Sequence, residues 1–397
     1  MRIVDKFVAT VALGVCAVNV SAQWVIQNSN STADLRGIHS VDGKVAWASG
    51  TNGTVLRTVD GGEHWLACAV PPGAEKLDFR GIQAFDAETA IVMSSGKGDF
   101  SRLYKTVDGC ATWKLVFTNP DKDGFWDAIN IKFPKDDGLG HPLDGSHGWG
   151  YVLGDPVGGT FALFATSDGG ESWNRRVAQR RGPKGEGCKI DDFRAETNEA
   201  AFAASNQSLL VLNGSYFVLV TGGGIARLGY NEVFSLDGAL CHDSSHFLKL
   251  PLAGGSTSAG AFAAAALFRY PIRSDFPDKL VIVGGDYKVP DSGAGTEVTV
   301  SHLGDHLSET TNAAQTPPHG YRSAVAWDEA AKVWITVGPN GTDVSADDGR
   351  NWRALKPDVG RGEAADADRN WNALSLPFVV GPKGRIGKWD EGLGVRN

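Results

Sequence analysis

The sequence predicts an all-β protein, a seven-bladed β-propeller whose ring is closed by an N-terminal strand. Three observations carry that expectation. A short turn motif recurs four times, a strand–turn–strand pattern precedes each copy, and the spacing divides the chain into seven units. The motif reads Thr58-Val-Asp60-Gly-Gly62-Glu-His-Trp65 at its first appearance. It returns as Thr106-Val-Asp108-Gly-Cys110-Ala-Thr-Trp113, as Thr166-Ser-Asp168-Gly-Gly170-Glu-Ser-Trp173 and as Ser345-Ala-Asp347-Asp-Gly349-Arg-Asn-Trp352.

Each copy has the chemistry of a tight turn between two strands. The Asp carboxylate can accept bonds from nearby backbone N–H groups. The Gly two residues later tolerates positive φ. The Ser or Thr hydroxyl offers a second local bond, and the Trp opens the next strand with a large face to bury between blades. These residues are read as folding devices on the outer rim. Cys110 replaces the second Gly of its box, so strain is expected there.

The box aspartates stand at 60, 108, 168 and 347, and the last gap spans about three of the earlier ones. Two boxes have therefore decayed, with remnants at Ser235-Leu-Asp237-Gly and Val298–Asp305, and a partial copy at Asp390-Glu-Gly392 closes the chain. Upstream, Leu35-Arg-Gly-Ile38, Phe79-Arg-Gly-Ile82 and Tyr321-Arg-Ser-Ala324 each lead into β-rich runs separated by Gly, Asn and Asp turns. The units fall at 35–70, 79–119, 126–180, 189–250, 258–304, 320–357 and 370–397. The last supplies three strands, and Trp24-Val-Ile-Gln27 is expected to complete it, leaving no open edge. The Ala-rich run Ala261–Leu267 has helical propensity but is read as the inner strand of blade five.

The 397 residues, 42% of them hydrophobic, suffice for a sizeable core, and 51 glycines suit a turn-dense all-β chain. Residues 1–22 read as a secretory signal. Arg2 and Lys6 form a basic start, Phe7–Val20 is apolar, and Val20-Ser21-Ala22 fits cleavage after Ala22. The apolar run is short for a transmembrane anchor, and Val15 before Cys16 fits a lipoprotein site poorly. The mature chain, secreted or periplasmic, is expected to have no membrane span. Cleavage removes two cations and one anion from a chain of net charge −8. The remaining acidic surface argues against a nucleic-acid partner.

Cys68, Cys110, Cys188 and Cys241 remain, and an exported chain allows disulfides. Three pairings are open. Cys68–Cys110 with Cys188–Cys241 is the preferred one, and two or more free buried thiols is the alternative.

Candidate chemistry sits at the channel mouth, where the inner strands begin. Polar residues stand there without a packing reason: Arg36, Arg80, Asp127, Glu199, Ser258, Arg322 and Asn372. Entering loops add Asp155, Asp286, Tyr287, His319 and Tyr321, and Trp126 precedes Asp127. Asp127, Asp155, Glu199 and Asp286 are the candidate catalytic carboxylates. Arg36, Arg80, Trp126, Tyr287, His319, Tyr321 and Arg322 are the candidate ligand-binding residues. Converging arginines and carboxylates suit a protein partner or a carbohydrate or anionic small ligand. The opposing reading is a structural ion-pair network plugging the channel.

No cofactor motif is found. Val218-Leu-Val-Thr221-Gly-Gly-Gly224-Ile-Ala-Arg227 has the strand and glycines of a dinucleotide fingerprint. It lacks the third Gly, a following helix and a βαβ context. It reads instead as a strand–turn pair or as glycine backbone lining the channel. The Asp- and Gly-rich loop Lys135–Asp144 matches no standard Ca²⁺ spacing, and the nine His residues show no metal-ligand pattern.

The boxes resemble the Asp box of the BNR-repeat family within the WD40/YVTN/BNR-like propellers. The order Gly-Ile, Trp-Ala-Ser-Gly, Gly-Thr-Val-Leu-Arg-Thr and Asp-Gly-Gly-x-x-Trp is similar to photosystem II assembly factor propellers, the Ycf48/HCF136-like type. Arg36–Ile38, Gly154–Pro156, Ala201–Ser205, Gly284–Tyr287 and Gly320–Ser323 resemble elements of exported bacterial propellers sometimes labelled oxidoreductase. The acidic charge and the decayed boxes of blades four and five depart from the photosystem type. What the resemblance implies is binding or assembly rather than catalysis. Sialidases are also Asp-box propellers, with an arginine triad and a Tyr nucleophile, but their Arg-Ile-Pro motif is absent here. The alternative function is a sialidase-like or other glycoside hydrolase working through paired carboxylates.

Overall fold

The computed structural model describes residues 24–133, 148–177, 189–212, 216–236, 240–269, 276–305, 308–361 and 363–389. The secretory segment, the 135–144 loop, Asp237, Asp390 and Cys188 lie outside these residues, so the readings placed on them do too.

The described strands form seven sheets, the blades of a propeller. Blade one is Leu35–Ser40, Ala46–Gly50, Val55–Thr58 and Leu66–Ala67 from the axis outward. Blades two, three and six repeat this antiparallel order, with inner strands Phe79–Ala84, Trp126–Lys132 and Ala324–Asp328. The Ala-rich run is a strand, Ala259–Leu267, on the inner side of blade five. Ala259, Ala261, Ala263 and Ala264 are buried against strand Lys279–Asp286 and the neighbouring blades, and that environment overrides the helical propensity of the run. Among the described residues the helices are two 3₁₀ turns, Gly98–Phe100 and Val359–Arg361. No helix there is long and apolar enough to cross a membrane.

Blade four differs from the reading that placed the start of its inner strand at Glu199. Its inner strand is Leu209–Val211, followed by Phe217–Val220, Arg227–Leu236 and Leu240–Lys249. Glu199–Ala200 pairs instead with Gly222–Gly223, which joins blade five at Gly260. The glycine-rich stretch thus leaves blade four for two residues and bridges to its neighbour. A Cβ on Gly222 would lie 2.6 Å from the Gly260 Cα and 2.4 Å from the Phe202 ring, so backbone contact there requires glycine.

The four boxes adopt one geometry. Thr58 Oγ1 donates to Asp60 Oδ1 at 2.8 Å and accepts from Gly62 N at 2.9 Å, and His64 N donates to Asp60 Oδ1 at 3.0 Å. The same three bonds recur at Thr106–Asp108, Thr166–Asp168 and Ser345–Asp347. Hydrogen bonds from turn side chains and backbone N–H groups, outweighing partial burial at Asp168 and Asp347, hold the box carboxyls below their usual range. The second Gly has φ of 87° in the first box, and Cys110 takes the same role at 69°. A non-Gly residue is costly in that region. Cys110 is held there by a disulfide to Cys68, which ties the rims of blades one and two.

Box tryptophans fill the gaps between blades. Trp65 meets Phe378 of blade seven edge-on at 5.5 Å, and Trp173 stacks on Phe117 of blade two at 6.5 Å. Trp352 packs with Val281 and Val283 of blade five.

Blade seven consists of Ala373–Ser375, Phe378–Val380 and Ile386–Trp389, with Trp24–Gln27 as its outer strand. Trp24 is buried against Trp389 and Trp371, with ring centroids at 5.0 and 6.1 Å. Its Nε1 donates to Thr342 Oγ1 of blade six, while Gln27 Oε1 accepts from Trp65 Nε1 of blade one. One four-residue strand therefore touches both neighbours of the last blade. A chain starting at residue 31 loses this strand and the burial of a Trp, on the order of 3–5 kcal/mol of a typical 5–15 kcal/mol. Thermal melting should show it markedly destabilised against a chain starting at Gln23; equal melting would mean the strand closes nothing.

Between blades five and six, burial pushes the Glu297 carboxyl up to about 8. Its Oε1 accepts from Thr299 Oγ1, while Oε2 has no partner. The folded site keeps its proton well above the ordinary carboxyl range, so stability is fully present at acid pH and is lost as pH rises towards 8. Glu297→Gln mimics the protonated acid. Its melting temperature should match the wild type near pH 5 and exceed it at pH 8.5.

Candidate functional site

Seven inner strands facing one axis present N–H and C=O groups that no neighbouring strand can pair. In this chain the segment before the blade-four inner strand crosses the channel and supplies the partners. Asn206 Oδ1 accepts from Ile129 N at 2.8 Å and its Nδ2 donates to Ile129 O at 2.9 Å. Gln207 does the same for Val325, accepting at 2.9 Å and donating at 3.2 Å, and also reaches Leu374 O. Ser205 Oγ donates to Ser323 O, and Gln207 O accepts from Ala264 N. Residues 205–207 thus bond to blades two, three, five, six and seven. The side-chain amides act as short pieces of strand. The channel is plugged by polypeptide, not by the ion-pair network that was the alternative expectation.

The plug is the floor of a cup at the mouth, a cavity of about 540 Å³. Its wall divides by chemistry. Blades one and two contribute Arg36 and Arg80, which flank Asp78 with N–O distances of 3.0 and 2.8 Å. Arg80 also donates to Ala203 O of the plug segment. Blade three contributes Asp127 and Asp155. The opposite wall is aromatic. Phe202 stacks on Phe262 with centroids 3.9 Å apart, and Tyr321 meets Phe262 edge-on at 4.8 Å. Tyr287, 46% exposed, completes that side at the rim. Trp371 and Asn372 of blade seven fill the remaining arc, and Asn372 Nδ2 donates to Leu35 O of blade one.

The two carboxyls are unusual. Asp127 is buried, and its Oδ2 has no hydrogen-bond partner. Burial, reinforced by the charge of Asp155 and opposed by Arg80, holds its carboxyl well above the usual range. Asp155 accepts from Ala201 N at 3.2 Å, and burial pushes it up to about 6.

Asp127, Asp155, Arg36, Arg80, Tyr287 and Tyr321 therefore line one cavity. Five other candidates do not. Glu199 is enclosed with Arg227, which donates from Nε and Nη2, and with Thr221. Arg322 is fully buried and ion-paired with Asp343, whose other oxygen meets His319 Nδ1 at 2.8 Å. That network ties blade six together beneath the rim. Asp286 caps Lys288 N and accepts from Ser256 Oγ, and hydrogen bonding, first from Ser258, lowers its carboxyl. Trp126 is sandwiched in the core, stacked on Phe117 at 5.3 Å. Each of these four polar residues found a local partner that sequence position did not reveal.

Missed from the sequence were Phe202, Phe262 and the plug residues. The run Ser205-Asn-Gln-Ser208 between two apolar stretches was the available signal. At the rim, Asp60, Glu63 and His64 of the first box also converge, exposed, with His64 bonded to Asp60.

No family model matches the chain, and no curated protein matches it. Solved propellers do match. YCF48 bound to D1 peptide is similar over 94% of this chain and 97% of its own, with a TM-score of 0.56 and 14% identity. YCF48 from Cyanidioschyzon merolae covers 93% and 99%, with a TM-score of 0.50 and 16% identity. The WD40 propeller domain of Doa1 covers 94% and 97%, with a TM-score of 0.52 and 11% identity. The shared feature is the fold, and the Ycf48 type named from the sequence is among its holders.

Gln207→Ala should leave the Val325 N–H and the Leu374 C=O without partners, at about 1–3 kcal/mol for each buried group. Denaturant unfolding should show a loss of that order. The exposed Gln315→Ala should stay within about 0.5 kcal/mol of the wild type.

Proposed function

We propose that this chain is a binding or assembly module that takes a peptide segment of a protein partner into the cup at the channel mouth. The observation that carries the reading is the cup itself. It is closed below by the plug, walled on one side by Phe202, Phe262, Tyr287 and Tyr321, and lined elsewhere by charged groups. Aromatic walls with a few placed polar groups are the usual makings of a recognition site. A blind cup also suits an inserted chain end or loop better than a conduit does. A propeller of the same fold has been solved with a D1 peptide, which supports a peptide as occupant. We place the protein outside the cytosol, as the signal-like start suggests, and the Cys68–Cys110 disulfide agrees with an oxidising compartment.

A glycoside hydrolase is the competing reading, because Asp127 and Asp155 share one cavity and hold protons unequally, as acid and base partners do. Selection from a displayed random-peptide library decides between them. Enriched peptides should lose at least ten-fold in affinity against Tyr287→Ala and Arg80→Ala. Enriched peptides indifferent to both substitutions would remove the cup from the reading. Turnover of a glycoside, abolished by both Asp127→Asn and Asp155→Asn, would replace binding with catalysis.

A further inference from the structure

Charge accounting in the cup leaves one group over. Arg36 and Arg80 face three carboxylates, those of Asp78, Asp127 and Asp155. Asp78 sits between the two guanidiniums, accepting a hydrogen bond from Arg80 Nε on Oδ2 and ion-paired through Oδ1 with Arg36 at 3.0 Å. One positive charge then remains for two carboxyls in the blade-three corner. The other charged groups near the mouth are already satisfied. Glu199 is closed off with Arg227, Asp343 with Arg322 and His319, and Asp286 with Ser256 and a backbone N–H. The remaining titratable groups on the cup wall are the phenols of Tyr287 and Tyr321.

A buried carboxylate without a counter-charge is costly. It either takes up a proton or waits for a cation. The geometry leaves room for the second course. Asp127 is 2% exposed, lines the cup, and its Oδ2 has no donor. Asp155 beside it receives a single backbone N–H, from Ala201. The aromatic side chains that complete the cup offer apolar surface to whatever carries the cation, and their ring faces attract positive charge.

We propose that the Asp127–Asp155 corner is a subsite for a primary ammonium group borne on an apolar or aromatic body, as a lysine side chain or an amino terminus of the inserted peptide would present it. This rests on the peptide-binding reading of the cup and narrows it. On binding, the ammonium keeps its three protons and donates hydrogen bonds to the carboxyl groups of Asp127 and Asp155. The proton that the carboxyl pair held is released to solvent. The raised positions of both carboxyls agree with a pair that holds a proton until a cation arrives. Affinity for an amine therefore rises with pH between about 5 and 8, while affinity for a neutral analogue does not.

Phenethylamine and its neutral counterpart 2-phenylethanol test the subsite on the intact protein. Isothermal titration at pH 7.5 should show the amine bound at least ten-fold more tightly than the alcohol. Titrations in buffers of different ionisation enthalpy should show proton release, and the preference should shrink at pH 5. Asp127→Asn and Asp155→Asn, each checked for an unchanged melting temperature, should bring amine and alcohol to near parity. The second variant serves if the first fails to fold. Equal binding of the two probes, binding of neither, or a preference that survives both substitutions would overturn the subsite. A library-selected peptide whose affinity for the cup is unchanged by acetylating all its amines would overturn it too, and would leave the peptide-binding reading standing. Disappearance of all cup-dependent peptide binding would remove both.

Discussion

Closure of a ring of sheets creates the constraint on which the rest of this structure depends. Every blade must turn its inner strand towards a common axis, and the backbone groups on that edge have no strand to pair with. Asn206 and Gln207 answer it from inside the channel. Each side-chain amide matches one N–H and one C=O of an inner strand, at Ile129 and at Val325. Similar amide stitching recurs where Asn372 meets Leu35, and where Asn130 accepts from Val211 N. The cost of leaving such groups unmet is large in a buried setting, so the plug is part of the fold before it is part of any site.

From the plug follows the shape of the mouth. A chain segment laid across the axis turns a channel into a cup, and it carries Phe202 up to stack on Phe262. The same segment supplies the N–H that Asp155 accepts and the C=O that Arg80 reaches. Closure elsewhere depends on equally local devices. Trp24 and Gln27 on one short strand contact blades six and one, and Cys110 keeps a box turn in positive φ while bonded to the neighbouring rim.

Polar residues near the mouth divide into two kinds, and only contact geometry separates them. Glu199 and Arg322 meet buried partners one or two strands away and are used up in holding blades together. Asp127 and Asp155 line one cavity side by side, Arg80 acts on Asp127, and Asp127 Oδ2 has no hydrogen-bond partner. In the sequence all four look alike, as charged residues expected at the channel mouth. The partners Arg227 and Asp343 lie 28 and 21 residues further along, and no local pattern marks them as partners.

The sequence by itself determined the architecture: the repeated Asp-and-Gly turn motif, the strand–turn periodicity and the Trp24–Gln27 segment specify the blades, their number and their closure. These are local properties, because turn geometry and side-chain alternation act between residues close in the chain. The blade-four inner strand was misread because Glu199 and Ala201–Ser205 satisfy the same local pattern while lying on a bridge and a plug. Tertiary structure alone decided which polar groups were neutralised, where the channel was blocked, and which rings met across the cup. Those outcomes depend on distances between residues from different blades, such as Phe202, Phe262 and Tyr321, which only the closed ring brings together.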